Sequence, residues 1–486
     1  MSISAAISNA VSGLTAASRG TEIVSTNIAN AQTEGYARRE LDLSSRIYER
    51  GGGVSIDGVS RMINASLLAD NRLARAQLGA SDTIAAFHAS REDAIGTATD
   101  ASSLGSLLTA FDTALASAAA RPDSEVRLTA VLDAAQTLAG KINRIADGVQ
   151  SARTDAERSI ANDVSRLNSA FEQVASLNKQ IASLTAQGKD AASLMDSRQA
   201  VIDRIAEIVP IQQVARDHGQ IALFTTGGAV LLDGTTPAQI GFASAGPINA
   251  NMSLAAGTLS NLTFNGKELT SFQQAAMFSG GTLGANFAVR DELAPMYQEQ
   301  IDAYAHELYD RISDPAIDAT LAIGGPGLFT DDQGAFLPTN EPGFANRLAV
   351  SALVDPASGG QLWRIRAGIN ATGAGDAGES ALLNNLSSAL SASRSPSSGS
   401  LSNSLRTLHS LTSELSSSAA SNRIHSGATA LQNNAHHESL KTALLADGVD
   451  TDKEMETLLA LEHAYAANAK VFQTANDMLD TILRLT

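Results

Sequence analysis

The chain has 486 residues, of which 44% are hydrophobic, 17% are charged and 4% are aromatic. This length exceeds one ordinary domain, and the apolar content is enough to bury several cores. The formal net charge of −17 argues against general affinity for nucleic acid or anionic membranes, because both require clustered lysine and arginine. The chain has no cysteine, which excludes disulfides, thiolate metal sites and cysteine nucleophiles.

The sequence shows no pattern typical of a membrane span or of a cleaved secretory leader. No run approaches the roughly 18 consecutive apolar residues of a membrane span. Polar residues interrupt the apolar ones before the first basic residue, Arg19, whereas a cleaved secretory leader begins with basic residues and continues with an unbroken apolar core. We therefore expect no membrane insertion, and any export must use a route without such a leader.

Both ends of the chain carry a seven-residue repeat of apolar positions, which favours helices that pack as coiled coils. Termini that are not tied down are usually disordered, so each narrow apolar stripe needs a partner. An ordinary amphipathic helix docked on its own domain stays an alternative. The residues expected at an assembly interface are Ile3, Ile7, Leu14, Val24 and Ile28 at one end and Leu458, Leu461, Tyr465, Phe472, Leu479 and Ile482 at the other.

The next part of the chain predicts long helices followed by a change to strands. Two heptad stripes indicate one or two very long helices between about 125 and 187, with Gly188 as a stop, and then a shorter helix ended by Pro210. From 211 to about 281, glycine, threonine and β-branched residues predict a small β domain. The runs 221–224 and 229–232 are typical of a hairpin.

Helix and irregular structure alternate in the rest of the chain. The apolar spacing predicts a helix from Arg290 to about Ile312, opened by two acidic residues. Turns around short apolar runs predict an irregular, β-containing segment over 317–368. Residues 378–440 are serine-rich, but a helix broken near Ser395-Pro396 is favoured over a flexible linker because leucines keep helical spacing there. These leucines are Leu401, Leu405, Leu408, Leu411 and Leu415.

The predicted fold is therefore α+β and mainly α, with paired terminal helices and a long-helix trunk that carries a β-rich insertion. The predicted regions are 1–50 with 445–486 as a terminal coiled coil; 51–210 with 276–315 and 371–444 as a helical trunk; 211–275 as a β-rich domain; and 316–370 as an irregular insertion.

Catalytic and metal-binding patterns are weak, so we expect no catalytic residue, metal or cofactor. The segment His306-Glu307-x-x-Asp310 resembles the opening of a zinc-protease helix but lacks the second histidine. The pair His436-His437 points in directions about 100° apart on a helix, which is typical of a solvated face. Neither a nucleophile elbow nor a phosphate-binding loop occurs. We predict that the protein is not an enzyme.

Two terminal motifs carry more specific information. The string from Ser25 to Tyr36, STNIANAQTEGY, follows the first heptad helix, where asparagine suits a helix end and Gly35 suits a turn. It resembles a motif of flagellar rod, hook and hook-associated proteins, and the chain near Tyr465–Ile482 resembles the matching carboxyl-terminal motif. The motif residues singled out are Asn27, Asn30, Gly35, Tyr36 and Arg38.

Four further segments are similar to the flagellar hook-associated protein 1 family in particular. These are Gly35-Tyr-Ala-Arg38, the segment from Gly52 to Arg61, Leu194-Met-Asp-Ser-Arg198 and the region 281–305. The resemblance is weak over 211–275 and 317–440, and the chain is short for the family, which suggests a reduced outer domain. Gln199 departs from the family pattern, which has an acidic residue there.

The resemblance implies a structural adaptor that joins hook to filament. It implies secretion by the flagellar type III apparatus and a location at the hook–filament junction outside the cell. The implied partners are other copies in a ring, the hook protein, a second hook-associated junction protein and an export chaperone at the carboxyl-terminal region. Alternatives are a hook or distal rod subunit and, from another class, a secreted enzyme or adhesin with flagellar-type ends.

Overall fold

A computed structural model describes residues 3–33, 35–46, 52–399 and 404–485 of the chain. Helix makes up 62% of the structure and strand 11%, which confirms the predicted mainly helical α+β class. The helices are α1 (Ile3–Ala29), α2 (Ala65–Ile95), α3 (Leu104–Ala120), α4 (Glu125–Ala186), α5 (Ala192–Ile208), α6 (Ser271–Phe278), α7 (Gly281–Ala288), α8 (Ala294–Ile312), α9 (Phe344–Arg347), α10 (Arg364–Ala367), α11 (Ala381–Ser391), α12 (Leu408–Ala446) and α13 (Thr451–Leu485).

The strands are short and all of their pairings are antiparallel. They form sheets in the orders β1-β2, β3-β4-β5-β6, β7-β8-β9 and β10-β11. Their bounds are β1 (Arg38–Ser45), β2 (Val54–Met62), β3 (Ile211–Ala215), β4 (Ile221–Thr225), β5 (Val230–Asp233), β6 (Thr236–Pro237), β7 (Ile240–Phe242), β8 (Leu262–Phe264), β9 (Lys267–Glu268), β10 (Phe329–Asp331) and β11 (Leu348–Val350).

Helix α4 is the spine of the molecule. It runs for 62 residues without a break, so its length is about 93 Å at 1.5 Å per residue. Most of the predicted heptad positions between Leu128 and Ile181 are buried, and Leu177 is half-buried. Gly188, with a φ of 64°, follows the helix end as predicted.

Two large apolar cores lie along this spine. The amino-terminal half of α4 packs with α3, α8, α11 and the start of α12 around the aromatic pair Phe111 and Phe329. The carboxyl-terminal half packs with α5, α7 and the strands β3–β8 around residues such as Phe171 and Leu223. One continuous helix therefore holds the trunk and the β region together.

The β region confirms the predicted hairpin. Strands β4 and β5 pair as expected, and Thr225–Gly228 form the turn, closed by hydrogen bonds from the Thr225 and Gly228 amides. Two separate small sheets make up the region 211–268. The predicted helix start at Arg290 is wrong. Helix begins at Gly281 and passes through a π-helical turn, Val289–Leu293, into α8.

The predicted break in the serine-rich tract is confirmed between α11 and α12, and the region 317–368 contains the short pair β10–β11. Helix α12 begins at Leu408 after a Thr407 cap. Leu405 therefore precedes the helix and is exposed, and Leu401 lies outside the described residues. The sequence pattern did not predict the antiparallel hairpin β1–β2, which follows α1 and packs against it.

The two ends of the chain lie together as predicted, because α1 and α13 pack against each other along much of their length. Helix α12 packs along α2 instead, and α12 and α13 do not pack along each other. The terminal pair and the hairpin β1–β2 thus form one unit beside the trunk.

Candidate interface at the paired termini

The motif after α1 forms a tight turn. The Asn30 side chain donates to the Thr26 carbonyl at 2.9 Å, and the Thr33 and Tyr36 amides donate to the Asn30 and Thr33 carbonyls. Gly35 has a φ of 81°, which confirms the predicted turn position. The expectation that Asn27 caps the helix end is wrong, because Asn27 lies inside α1 with its side chain 1% exposed.

Asn27 is instead a saturated hydrogen-bonding centre. Its Oδ1 accepts from the Tyr36 hydroxyl at 2.8 Å and from the Arg39 amide at 3.0 Å. Its Nδ2 donates to the Arg39 carbonyl at 2.9 Å and to Oε2 of Glu454 at 3.0 Å. A primary amide has two donors and two acceptor sites, so all four are used. Burial also raises the pKa of Tyr36, which keeps its hydroxyl a donor.

Glu454 connects this motif to the other end of the chain. Its carboxylate is 1% exposed, lies on α13, and also accepts from Nε of Arg38 at 2.7 Å. We call Asn27, Tyr36, Arg38 and Glu454 the terminal clasp. Sequence reasoning missed Glu454, although it lies four residues before Leu458 and so continues the apolar stripe. A carboxylate in that register is buried in the seam and needs partners.

A second polar cluster fastens the hairpin β1–β2 to the trunk. Asp196, in α5, pairs with Arg39 at 2.9 Å and with Arg61 at 2.6 Å. Arg61 also donates to Gln199, the position that departs from the family pattern. The neighbouring Arg198 donates to Asn178 and to the Gly219 carbonyl, and burial lowers its pKa to about 10. The Leu194–Arg198 segment therefore joins the hairpin, α4 and the β region.

Small residues on α1 allow the two terminal helices to pack at a short distance. A Cβ on Gly13 would lie 2.7 Å from the Asn468 side chain, and one on Gly20 would lie 3.0 Å from Leu461. These glycines are one heptad apart on α1, and alanines beside them are buried. Helix α13 thus packs closely onto a face of α1 made of small residues. The interface residues predicted from the sequence were large and apolar, so they did not include this face.

The predicted interface residues fall into two groups. On α1, Val24 is buried and the others are half-buried, whereas on α13 the burial varies along the helix. Tyr465 and Leu479 are 49% and 38% exposed. The half-buried residues are Ile3, Ile7, Leu14, Ile28, Leu458, Leu461 and Phe472, and Ile482 is exposed.

The described residues contain no group of three or more histidine, aspartate or glutamate side chains arranged to hold a metal. His306 stacks on Phe336 and lies 3.4 Å from Asp310 and 3.5 Å from Glu341. Burial lowers the pKa of His306, but the hydrogen bonds and charges of Asp310 and Glu341 raise it overall. Across the same described ranges, no helix has the length and apolarity to cross a membrane.

Comparisons with known proteins match three parts of the chain. Residues 7–36 match the flagella basal body rod protein family, and residues 442–485 match the carboxyl-terminal family of flagellar basal body rod proteins FlgEFG. Both helices of the terminal pair are therefore similar to flagellar basal body rod proteins. Residues 90–315 match the helical domain of flagellar hook-associated protein FlgK. This part of the chain is therefore similar to the flagellar hook-associated protein 1 (FlgK) family.

Individual flagellar proteins are also similar to this chain. Flagellar hook-associated protein 1 of Escherichia coli is 25% identical over 67% of this chain and 61% of its own length. The Bacillus subtilis protein of the same name is 28% identical over 43% of each chain. The hook junction protein FlgK of Burkholderia pseudomallei aligns in structure over 54% of this chain and 46% of its own, with a TM-score of 0.43 and 22% identity. The chain thus aligns with less than two thirds of these relatives.

Proposed function

We propose that this protein is a structural adaptor that joins the flagellar hook to the filament. The observation that carries the proposal is the order of the three matches, with rod-type families at both ends and a hook-associated helical domain between them. The relatives are flagellar structural proteins, which favours a non-enzymatic role.

The one-sided packing of the terminal helices supports assembly through them. Helix α13 meets α1 on one face, while Tyr465, Val471 and Met478 stay 49–54% exposed. Burying a large apolar side chain contributes roughly 1.5–3 kcal/mol, whereas ordering each residue costs about 1–2 kcal/mol. These terms nearly cancel for an isolated helix pair. Neighbouring copies in a ring would cover the remaining apolar surface, so folding of the termini would be coupled to assembly.

The proposed layout places the parts of the chain radially. Residues 1–50 and 445–486 would form an inner coiled coil, and the helical trunk would form the next shell. The regions 211–275 and 316–370 would lie outside. The proposed partners are other copies, the hook protein and a second hook-associated junction protein, with no nucleic acid and no insertion into a membrane. Export by the flagellar type III apparatus, with a chaperone at the carboxyl-terminal region, would bring the protein to the extracellular junction.

Deletion of the gene tests this proposal. The expected phenotype is hooks without filaments by electron microscopy, with flagellin released as monomer into the medium. Loss of the hook itself would move the protein to the hook or rod class, with which both ends share family matches. Intact filaments would refute the adaptor role and reopen the possibility of an enzyme or adhesin.

Substitution of the α13 stripe tests the route of assembly. Leu479→Asp or Phe472→Asp should abolish filament assembly, because each places a charge in the apolar stripe, while the circular dichroism of the trunk helices stays near wild type. His463→Asp adds the same charge at an exposed position on the side of α13 away from that stripe and should preserve filaments. Normal filaments from both stripe variants would contradict assembly through α13.

A further inference from the structure

The buried side of α2 is unusually polar. Nine of its 31 residues are buried, and large apolar side chains among these nine are limited to Leu68, Phe87 and Ile95. The shorter helix α3, in contrast, buries four large apolar side chains and no polar one. Apolar burial therefore contributes less to the attachment of α2 than to that of α3. The buried polar residues of α2 are Arg72, Ser81, His88 and Arg91.

Polar contacts hold much of α2 in place. Toward the trunk, Arg72 donates to Asp203 of α5 at 2.6 Å. Toward α12, Glu92 pairs with Arg423. Such contacts are exchanged for contacts with water when a helix moves away, so each one stabilises the attachment much less than its intrinsic strength suggests.

Three buried polar atoms of α2 have no hydrogen-bond partner among the described residues. They are Oδ1 of Asn71, Nη2 of Arg72 and Nη1 of Arg91. Arg91 is 6% exposed, and its other donors reach the Ser90 hydroxyl at 3.2 and 3.4 Å. Its guanidinium lies 5.5 Å from the centre of the Phe87 ring, but no carboxylate of the described chain pairs with it. Helix α2 therefore buries a charge without a counter-ion, which destabilises its packed position.

The neighbouring part of α12 is held no more firmly. From Ala419 to the helix end at Ala446, all of which is described, Ser426 is the one further buried residue. A cleft of about 610 Å³ is lined by both helices and by the turn 279–281, so close packing is interrupted where they meet the trunk. We call residues 65–91 of α2 and 420–446 of α12 the α2–α12 flap.

We propose that the α2–α12 flap opens from the trunk as one unit while the two large apolar cores stay folded. Its helices pack along each other. Both are anchored in the same core beyond the flap, α2 by Ile95 and α12 by residues such as Leu408 and Leu411. Neither large core includes a buried residue of the flap itself. Proteins open locally in cooperative units where buried apolar contacts are few, and the flap is such a unit.

The free end of the flap is the end that continues into the terminal pair. Strand β2 ends at Met62, just before α2, and α13 begins at Thr451, just after α12. Opening of the flap therefore lets the terminal pair move relative to the trunk once the ion pairs of Asp196 separate. It also uncovers the surfaces of α5 and α7 against which α2 packs.

Hydrogen exchange of the full-length protein in solution, followed by mass spectrometry, tests the opening. Amides of the flap should exchange about 100-fold faster than those of α4 and of residues 408–419, and both flap helices should respond equally to dilute urea. Flap amides as strongly protected as those of α4 would overturn the inference. Different urea responses of the two helices would also overturn it, because they would show two separate openings.

The substitution Arg91→Met tests the cause of the opening. It replaces the unpaired charge with an apolar side chain and should slow exchange about tenfold in both flap helices, the low end of the range for replacement of a buried ion. Arg144→Met, at an exposed arginine of α4, is the matched control and should leave the flap unchanged. Slower exchange in α2 alone would overturn the single unit, and unchanged exchange would overturn the role of the buried charge.

The substitution Arg72→Met should have the opposite effect. Asp203 and Gln213 both lose their partner, so exchange in both flap helices should become about tenfold faster. Opposite changes from two arginine substitutions on one helix cannot arise from general misfolding. Slower exchange in Arg72→Met would overturn the view that Arg72 holds the flap closed.

Discussion

Replacement of Glu454 by alanine is the most informative single perturbation of the paired termini. The carboxylate is 1% exposed and accepts hydrogen bonds from Arg38 at 2.7 Å and from Asn27 at 3.0 Å. Truncation leaves the Asn27 amide donor and the Arg38 guanidinium without this partner. A hydrogen bond to a charged group contributes about 1.5–3 kcal/mol, and removal of one partner of a buried ion pair costs about 3–5 kcal/mol.

The expected cost is smaller than the sum of these terms. The Arg38 side chain is 29% exposed and keeps a longer contact with Glu40, at 3.5 Å, so water recovers part of its solvation. We expect Glu454→Ala to destabilise the pairing of α1 with α13 by about 2–3 kcal/mol. A change of 2 kcal/mol corresponds to about 30-fold faster exchange of amides protected by this pairing.

Hydrogen exchange of the protein in isolated flagella, followed by mass spectrometry, measures this effect on each helix separately. Peptides from α1 and α13 should exchange faster in Glu454→Ala, while peptides from α4 should be unchanged. Glu456→Gln changes an exposed carboxylate two residues away and serves as the matched control. Equal exchange of α1 and α13 in the wild type and in Glu454→Ala would refute the view that the terminal clasp stabilises the pair.

Three other predictions concern packing, attachment and pH. Gly13→Ala should loosen the terminal pair, because its Cβ would lie 2.7 Å from the Asn468 side chain. Near-ultraviolet circular dichroism and hydrogen exchange of α1 should detect this change. The control is Gly427→Ala, which meets open space and should stabilise α12 by up to about 1 kcal/mol. Asp196→Asn should raise exchange in strands β1 and β2 about tenfold, because it removes the charge that pairs with two hairpin arginines; unchanged strands would contradict this attachment. Burial raises the pKa of Asp302 to about 6. The contribution of Asp302 to the free energy of unfolding should therefore be fully present below about pH 4 and fall by up to about 3 kcal/mol as the pH rises through 6. The difference in urea stability between wild type and Asp302→Asn, measured at pH 4 and pH 7, tests the direction of this pH dependence.

The sequence predicted the large elements because their periodicity is strong. Heptad spacing from Leu128 to Ile181 specified a helix far longer than average, and the turn at Thr225–Gly228 specified its hairpin. Irregular backbone carried no comparable pattern. The π-helical turn at Val289–Leu293 contains Arg290, which is fully buried and pairs with Glu157 of α4 at 2.7 Å. A partner so distant in sequence leaves no local trace.

The paired terminal helices could be predicted in part, because their apolar periodicity is also strong. Apolar periodicity identified α1 and α13, but close packing of these helices depends on Gly13 and Gly20, which a search for large apolar residues passes over. The family motif identified Asn27 and Arg38 but assigned Asn27 to a cap. Its actual role depends on Glu454, more than 400 residues away in the chain.

The polar fastening of the terminal pair has a consequence for an adaptor. Apolar burial is non-directional and tolerates sliding, whereas a saturated amide such as Asn27 accepts one arrangement of its donors and acceptors. The terminal clasp therefore fixes the register of α1 against α13. Asp196 fixes the hairpin against the trunk through two arginines. Under the proposed function, the exposed apolar residues of α13 then meet neighbouring copies in a defined register, and the energy of assembly comes from a surface that the clasp has already positioned.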